Sequence, residues 1–412
     1  FTLRKLSLPR FTRAFSAARK PLTAEETAII KATVPILETG GEVLTKHFYG
    51  IMLKDHPVVL PYFNKAHQES GQQPRALANA VLMYAKNIEK MQNLGPLVNQ
   101  IIHKHVSLDI KPEHYQVVGS CLLRAIREVL GPEVANDAVI SAWASAYGQL
   151  ADILIGLEAG LIDEKAKAAG GWKSGREFIV KEKIGESSVI TSFVLEAADS
   201  KPVVAHQAGQ YLGLHLTVNG DEVRRNYSIS DVTNGNTYRI SVKRAPGGVV
   251  SNHLHDNVKV GDKLELYPPS GEFTLQAAAS TAKPLVFLTA GVGITPAMAM
   301  LQESLRNAST AQREVRFIHC VRSKEEQAFY DTVSDLAAKH SNLQQYNCYS
   351  KEQGRLNEKK LAEWLPADRD AEVFLLGTQA FMVDMKKALL NLGVPATQLH
   401  WEFFGPAASL DV

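Results

Sequence analysis

The apolar residues of this chain change period twice, and that change constrains the fold more than any other feature. From residue 22 to about 160 they recur at helical spacing. Leu77, Val81, Tyr84, Ala85 and Ile88 share one stripe, as do Val139, Trp143, Ala146, Leu150, Ile153 and Leu157. Thr23 followed by Glu26 is a capping box, and Pro57, Pro61, Pro112 and Pro132 fall at breaks. From residue 176 the period drops to two, in short segments at Phe178–Val180, Ile190–Leu195, Tyr211–Val218, Tyr238–Val242 and Lys263–Leu266. Turns are expected at Asn219-Gly220 and Asn234-Gly235. From Pro284 onward, buried strands alternate with helical patterns, which implies a doubly wound parallel sheet.

One core does not grow to 412 residues, so a multidomain chain is expected. Residues 1–21 form a basic N-terminal extension and residues 22–162 an all-α domain. Residues 163–175, Gly-punctuated, read as a linker. Residues 176–280 form a small antiparallel β-barrel, and 281–412 an α/β domain.

The net charge of +2 conceals an asymmetry. Residues 1–20 hold six Lys and Arg and no acid; removing those six of 45 leaves 39 bases against 43 acids, a net of −4. That body has no long basic run, which argues against nucleic acid as the main partner. The Arg-rich, acid-free start suits a mitochondrial transit peptide as well as a basic tail. The expected location is the cytoplasm, with mitochondria added if the segment directs import. No run reads as long and apolar enough to cross a membrane, so no obligatory membrane partner is expected. The three cysteines, Cys121, Cys320 and Cys348, form no C-x-x-C or C-x-x-C-H. That excludes a zinc ribbon and covalent haem attachment and suggests a reducing compartment.

Residues 99–115 supply His103 and His105, two apart and therefore on roughly opposite helix faces. Upstream, Leu44–Phe63 carries Tyr49 and Phe63; Gln73 follows, with Leu77 on its face. This succession resembles a bacterial-type globin. The resemblance implies that His105 ligates the iron of one non-covalent haem b, that Phe63 stacks on it, and that Tyr49 and Gln73 occupy the distal side. It also implies that Tyr115 and Glu158 hydrogen-bond with the proximal His, a device that makes the ligand more anionic. His103 is then an ordinary helix residue.

Within the barrel stands Arg225-Asn226-Tyr227-Ser228. Tyr can stack on an isoalloxazine, Ser can bond its polar edge, and Arg can pair with a pyrophosphate. Tyr211, after Gly209-Gln210, and the loop holding Gly248, Val250 and Ser251 add two more pieces; glycine lets backbone N–H groups approach an anion. The three pieces resemble ferredoxin-reductase-like flavoproteins, which implies one FAD. The next domain has Gly291-Val292-Gly293-Ile294-Thr295-Pro296 between a strand and a helix, which places backbone donors against a dinucleotide. One departure stands out: Leu376-Gly377-Thr378 replaces the family's Cys-Gly-Pro. Arg322 is either a partner for a 2′-phosphate or a surface charge, so NADH or NADPH stays open. Phe403, Phe404, Gly405 and Pro406 resemble the family's closing motif over the flavin, and Lys104 and Glu402 are by analogy redox tuners.

Residues 22–408 as a whole resemble a flavohaemoglobin of the yeast type. The resemblance implies a nitric oxide dioxygenase in which electrons pass from NAD(P)H through FAD to haem, and NO and O2 leave as nitrate. The simplest expectation is a monomer. Two other classes remain: an NAD(P)H-dependent reductase acting on other acceptors, and an oxygen sensor or carrier.

Overall fold

Thr23 opens the first helix as its pattern demands. Its Oγ1 accepts from the Glu26 N–H at 3.1 Å, and the Glu26 carboxylate accepts from the Thr23 N–H at 2.8 Å. The computed structural model describes residues 21–307 and 311–405; the basic segment 1–20 and Pro406 lie outside the described residues. Contacts divide the chain into two compact units, residues 21–167 with Gly405, and residues 168–404.

The first unit is helical: α1 (Ala24–Ala32), α2 (Val34–Asp55), a 3-10 turn (Pro57–Tyr62), α3 (Lys65–Glu69), α4 (Gln72–Lys86), α5 (Gly95–Ser107), α6 (Pro112–Val134) and α7 (Asp137–Lys167). Pro112 sits in the first turn of α6, where its missing N–H costs nothing. Gly131, at φ +74°, kinks the same helix just before Pro132. α7 runs five residues past the expected end at 162. By length and composition it is also long enough and apolar enough to cross a membrane, a property not expected of any segment. Its Ala142, Trp143, Ala146, Ile153, Leu154, Leu157 and Leu161 are buried, and it packs on α1, α5 and α6.

The second unit holds two sheets. The antiparallel one comprises β1 (Arg176–Gly185), β2 (Ile190–Ala197), β3 (Tyr211–Val218), β4 (Asp221–Ser228), β5 (Thr237–Lys243) and β6 (Lys263–Ser270), in the order β4-β3-β6-β1-β2-β5. An Ile229–Ile240 bridge joins its two ends, which closes the barrel. Helix α8 (Val249–Asp256) follows β5. β4 was not among the expected strands: it begins Asp221-Glu222 and has no apolar alternation to read. Its place is set by the Asn219-Gly220 turn, whose positive φ angles of 55° and 91° match the twist of a tight hairpin.

The parallel sheet runs β11-β10-β7-β8-β9, from β7 (Leu285–Ala290), β8 (Val315–Val321), β9 (Leu343–Tyr349), β10 (Glu372–Leu376) and β11 (Leu399–Trp401). Helices α9 (Ile294–Arg306), α10 (Tyr330–Lys339), α11 (Glu358–Trp364) and α12 (Gln379–Asn391) connect them. α10 begins six residues after Lys324, the expected start, because Phe329 adopts a left-handed conformation. Val286, Phe287 and Leu288 of β7 are fully buried, as a central parallel strand covered on both faces requires.

Candidate active site

Three helices of the first unit bring their side chains to His105. α5 carries His105, α6 carries Tyr115, and α7 carries Glu158. The His105 Nδ1 lies 2.8 Å from Glu158 Oε1 and 3.0 Å from the Tyr115 hydroxyl, and Tyr115 donates to Glu158 at 2.5 Å. Burial, reinforced by the Glu158 charge, pushes the Tyr115 phenol far up, so it stays a donor. With Nδ1 taken, Nε2 is the nitrogen left for a metal. His103, two residues earlier, is buried at 6% exposure. Lys104 is half-buried.

A residue absent from the sequence argument supports this group. Tyr147 of α7 donates to the Tyr115 carbonyl at 2.6 Å. Gly119 makes room for it: a Cβ there would lie 2.5 Å from the Tyr147 ring.

Tyr49, on α2, is 6% exposed, and the Gln73 amide of α4 donates to its oxygen at 3.2 Å. Burial pushes the Tyr49 phenol up, so its own proton remains to be donated. Phe63 meets the Tyr49 ring edge-on, with centroids 5.6 Å apart. Phe63, Leu77, Val81, Leu97 and Ile101 pack against the core and remain only partly buried. Among the described residues no three His, Cys, Asp or Glu side chains converge as a metal site. A metal at His105 therefore brings its other ligands with it, as a porphyrin does. An apolar surface and a single oriented imidazole fit haem.

In the second unit, the β3–β4 register sets Tyr211 opposite Ser228, Leu212 opposite Tyr227, Gly213 opposite Asn226 and Leu214 opposite Arg225. Arg225 is half-buried, and among the described residues no carboxylate pairs with it; its NH1 donates to the Arg224 carbonyl at 2.7 Å. Burial lowers its pKa, so an anionic group would be a favourable neighbour. Burial also pushes the Tyr227 phenol up to about 12. Gly248 caps α8 without a side-chain bond, leaving first-turn N–H groups for an anion. Val250 is buried beneath that turn, and Ser251 Oγ accepts from the Ala245 N–H at 3.1 Å. These features fit a flavin dinucleotide.

The turn after β7 fits a second one. Gly291 has φ +54°, and Gly293 approaches β10 so closely that a Cβ would lie 2.6 Å from the Leu376 carbonyl oxygen. Helix α9 then starts at Ile294 with no side-chain cap; Thr295 Oγ1 donates to the Val292 carbonyl at 3.0 Å, and Pro296 fits the first turn. Lys243 at the end of β5, not foreseen from sequence, reaches this turn: its Nζ is 3.6 Å from where a Gly291 Cβ would be. In the departing Leu376-Gly377-Thr378, Thr378 caps α12 by accepting from the Phe381 N–H at 3.4 Å. Phe403 packs beside Trp401 on the parallel-sheet core, Glu402 is half-buried, and Phe404 is 44% exposed.

A globin carrying haem is here joined to a reductase that binds FAD and a nicotinamide nucleotide. Three family models match in that order: Globin over residues 46–154, Oxidoreductase FAD-binding domain over 177–275 and Oxidoreductase NAD-binding domain over 287–387. The chain belongs to the flavohaemoprotein family. It is 54% identical to the flavohemoprotein of Pseudomonas aeruginosa and 55% to that of Pseudomonas putida, in each case over 95% of this chain and all of the relative. A flavohemoglobin structure from Malassezia yamatoensis with bound FAD and heme aligns at a TM-score of 0.81 and 27% identity, over 94% of this chain and all of that one. The FAD/NAD-binding domain of the nitric oxide dioxygenase of Vibrio cholerae aligns at 0.51 and 38% identity, over 57% of this chain and all of that one. These bacterial relatives share more sequence with the chain than the fungal structure does, so "yeast type" does not describe its resemblance.

Proposed function

We propose that this chain is a nitric oxide dioxygenase that consumes NO, O2 and NAD(P)H and releases nitrate. The observation that carries the reading is the His105–Tyr115–Glu158 hydrogen-bonded group in a chain that also holds a flavin barrel and a nucleotide sheet. A carrier needs no reductase, and storing oxygen needs no electron-rich proximal ligand. The membership of the family and the Vibrio cholerae neighbour's name support the same activity.

When bound, haem supplies the iron at which NO and O2 combine, and FAD turns the nicotinamide's two-electron hydride into single electrons. The chain's residues do the rest. His105 holds the iron through Nε2, and Glu158 and Tyr115 fix its ring and enrich it in electrons. Tyr49, its oxygen already engaged by Gln73, directs its proton at the distal substrate. Phe63 restrains that tyrosine and covers the haem edge. Tyr227 packs on the flavin and Tyr211 near the adenine side, Asn226 and Ser228 bond the flavin's polar edge, and Arg225, Gly248, Val250 and Ser251 hold the phosphates. Gly291, Val292, Gly293, Ile294, Thr295 and Pro296 receive the nicotinamide dinucleotide. Phe403 and Phe404 cover the flavin, and Lys104 and Glu402 each act as a redox tuner, roles that rest on the family resemblance. We further infer a monomer with no nucleic-acid or obligatory membrane partner, in the cytoplasm, and in mitochondria if residues 1–20 direct import.

The test is NO consumption by the purified holoenzyme with NADH or NADPH, with and without O2. Oxygen-dependent NO loss with nitrate formed over many turnovers is expected. No such loss, with dye reduction intact, would leave a reductase for other acceptors.

A further inference from the structure

Two of the three cysteines meet across the parallel sheet. Cys320 of β8 and Cys348 of β9 are direct partners in the strand ladder, so their side chains leave the same face. Both lie in one apolar cluster with Leu356, Leu361 and Trp364. Cys348 is 1% exposed and Cys320 is partly open. The neighbouring Cys320 side chain, helped by the Lys360 ammonium, pulls Cys348 down to about 7, while the neighbouring Cys348 and burial push Cys320 up. As a thiol, Cys348 donates to the Gly354 carbonyl at 3.6 Å. No part of the proposed electron path uses either residue.

We propose that Cys320 and Cys348 are a peroxide-oxidisable dithiol whose disulfide ties β8 to β9 at the nucleotide-binding edge of the sheet. Paired strands run about 4.8 Å apart, within the Cα range of a disulfide at about 4.4–6.8 Å. That spacing lies below the usual disulfide Cα separation of about 5.5–6 Å, so closing the bond strains the strand pair and leaves the disulfide readily reduced. The step balances with a hydroperoxide as oxidant. The Cys348 thiolate attacks the terminal peroxide oxygen, the O–O bond breaks, and the hydroxide or alkoxide that leaves takes up the proton released when Cys348 ionised, departing as water or an alcohol. The Cys320 sulfur then attacks the resulting sulfenic acid, the S–S bond forms, and the Cys320 proton departs with hydroxide as water. The two thiols are oxidised by two electrons and the peroxide is reduced by two.

The position gives the bond a consequence. Dinucleotides bind at the carboxyl ends of such strands. Cys320 is the penultimate residue of β8, and just beyond it the Arg322 carbonyl accepts the Lys351 N–H from the end of β9 at 2.9 Å. Straining that strand pair shifts the edge. This half of the proposal rests on the nicotinamide reading above; the bond itself does not.

The test treats full-length holoenzyme with a few equivalents of hydrogen peroxide and digests it with trypsin without reductant. Mass spectrometry is expected to find peptide 317–322 joined to peptide 340–351, two hydrogens lighter than their sum. Glutathione should separate them, and Cys320→Ser and Cys348→Ser should each abolish the product. The KM for NADH in dye reduction should rise several-fold on oxidation, return with dithiothreitol, and stay constant in Cys348→Ser. Oxidation of single cysteines without the joined peptide, or a bond that glutathione leaves intact, would overturn the dithiol. A joined peptide with an unchanged KM would overturn its coupling to the nucleotide edge.

Discussion

Glu158 Oε1 lies 2.8 Å from the Nδ1 of His105, and the carboxylate side chain is 7% exposed against 31% for the imidazole. A carboxylate only accepts, so this contact fixes the imidazole proton on Nδ1 and turns the Nε2 lone pair outward. The oxygen that holds His105 also accepts the Tyr115 hydroxyl's hydrogen bond at 2.5 Å. One buried acceptor therefore sets both the tautomer and the angle of the ring.

Glu158→Gln keeps the shape and removes the charge. Loss of such a supporting partner typically costs about 10–100-fold in activity. NO turnover is expected to fall in that range, while FAD content and NADH-driven dye reduction stay at the parent level. Stopped-flow NO consumption beside a dye assay measures both. Equal loss in the two assays would mean that Glu158 acts on the fold rather than on His105.

Tyr49→Phe removes the distal donor. A hydrogen bond to a partly charged acceptor contributes about 1.5–3 kcal/mol, so O2 dissociation from the reduced protein should quicken by about 10–100-fold. Gln73→Leu should have a smaller effect, because Gln73 acts through the Tyr49 oxygen at 3.2 Å. In Tyr49→Phe the Gln73 change should then add nothing. Additive effects in the double variant would show that Gln73 reaches the substrate by itself.

The parts of this site differ in how far sequence reveals them. Tyr49, Gln73 and His105 stand at characteristic spacings, and the glycine turn at Gly291 and Gly293 follows a visible buried strand. The meeting of Glu158 with His105 depends on how α7 crosses α5 across 53 residues, which no local pattern encodes. Tyr147 bonds a main-chain carbonyl and therefore leaves no signature in neighbouring side chains. β4 is invisible to alternation because it is charged at its start and only partly buried along the rest. The pairing of Cys320 with Cys348 follows from the β8–β9 register, so two cysteines that look scattered in the chain become neighbours in the sheet.

Gly293→Ala tests the nucleotide turn. Its Cβ would sit 2.6–2.7 Å from the Leu376 carbonyl group and 3.0 Å from the Gly377 nitrogen, all of them backbone atoms that cannot swing aside. Overpacking of this kind costs about 1–3 kcal/mol. If that cost falls on the bound state, the KM for NADH should rise by about 5- to 150-fold while the haem spectrum stays unchanged. An unaltered KM would show that the turn does not hold the nucleotide.

His319 predicts how the second unit responds to acid. It lies in β8 at 1% exposure, its Nδ1 is 2.8 Å from the Thr289 hydroxyl, and its Nε2 has no hydrogen-bond partner among the described residues. Burial pushes its pKa down from 6.5 to about 3, so the folded ring stays neutral. Between those values the unfolded chain binds a proton that the folded chain refuses. Stability therefore falls as pH drops through that window, by about 1.4 kcal/mol per unit at full slope. His319→Gln removes this term. Urea unfolding of the second unit, followed at pH 7 and pH 5, should show the parent losing about 1–2 kcal/mol more than the variant over that interval. Parallel losses in the two proteins would mean that His319 takes up its proton without unfolding.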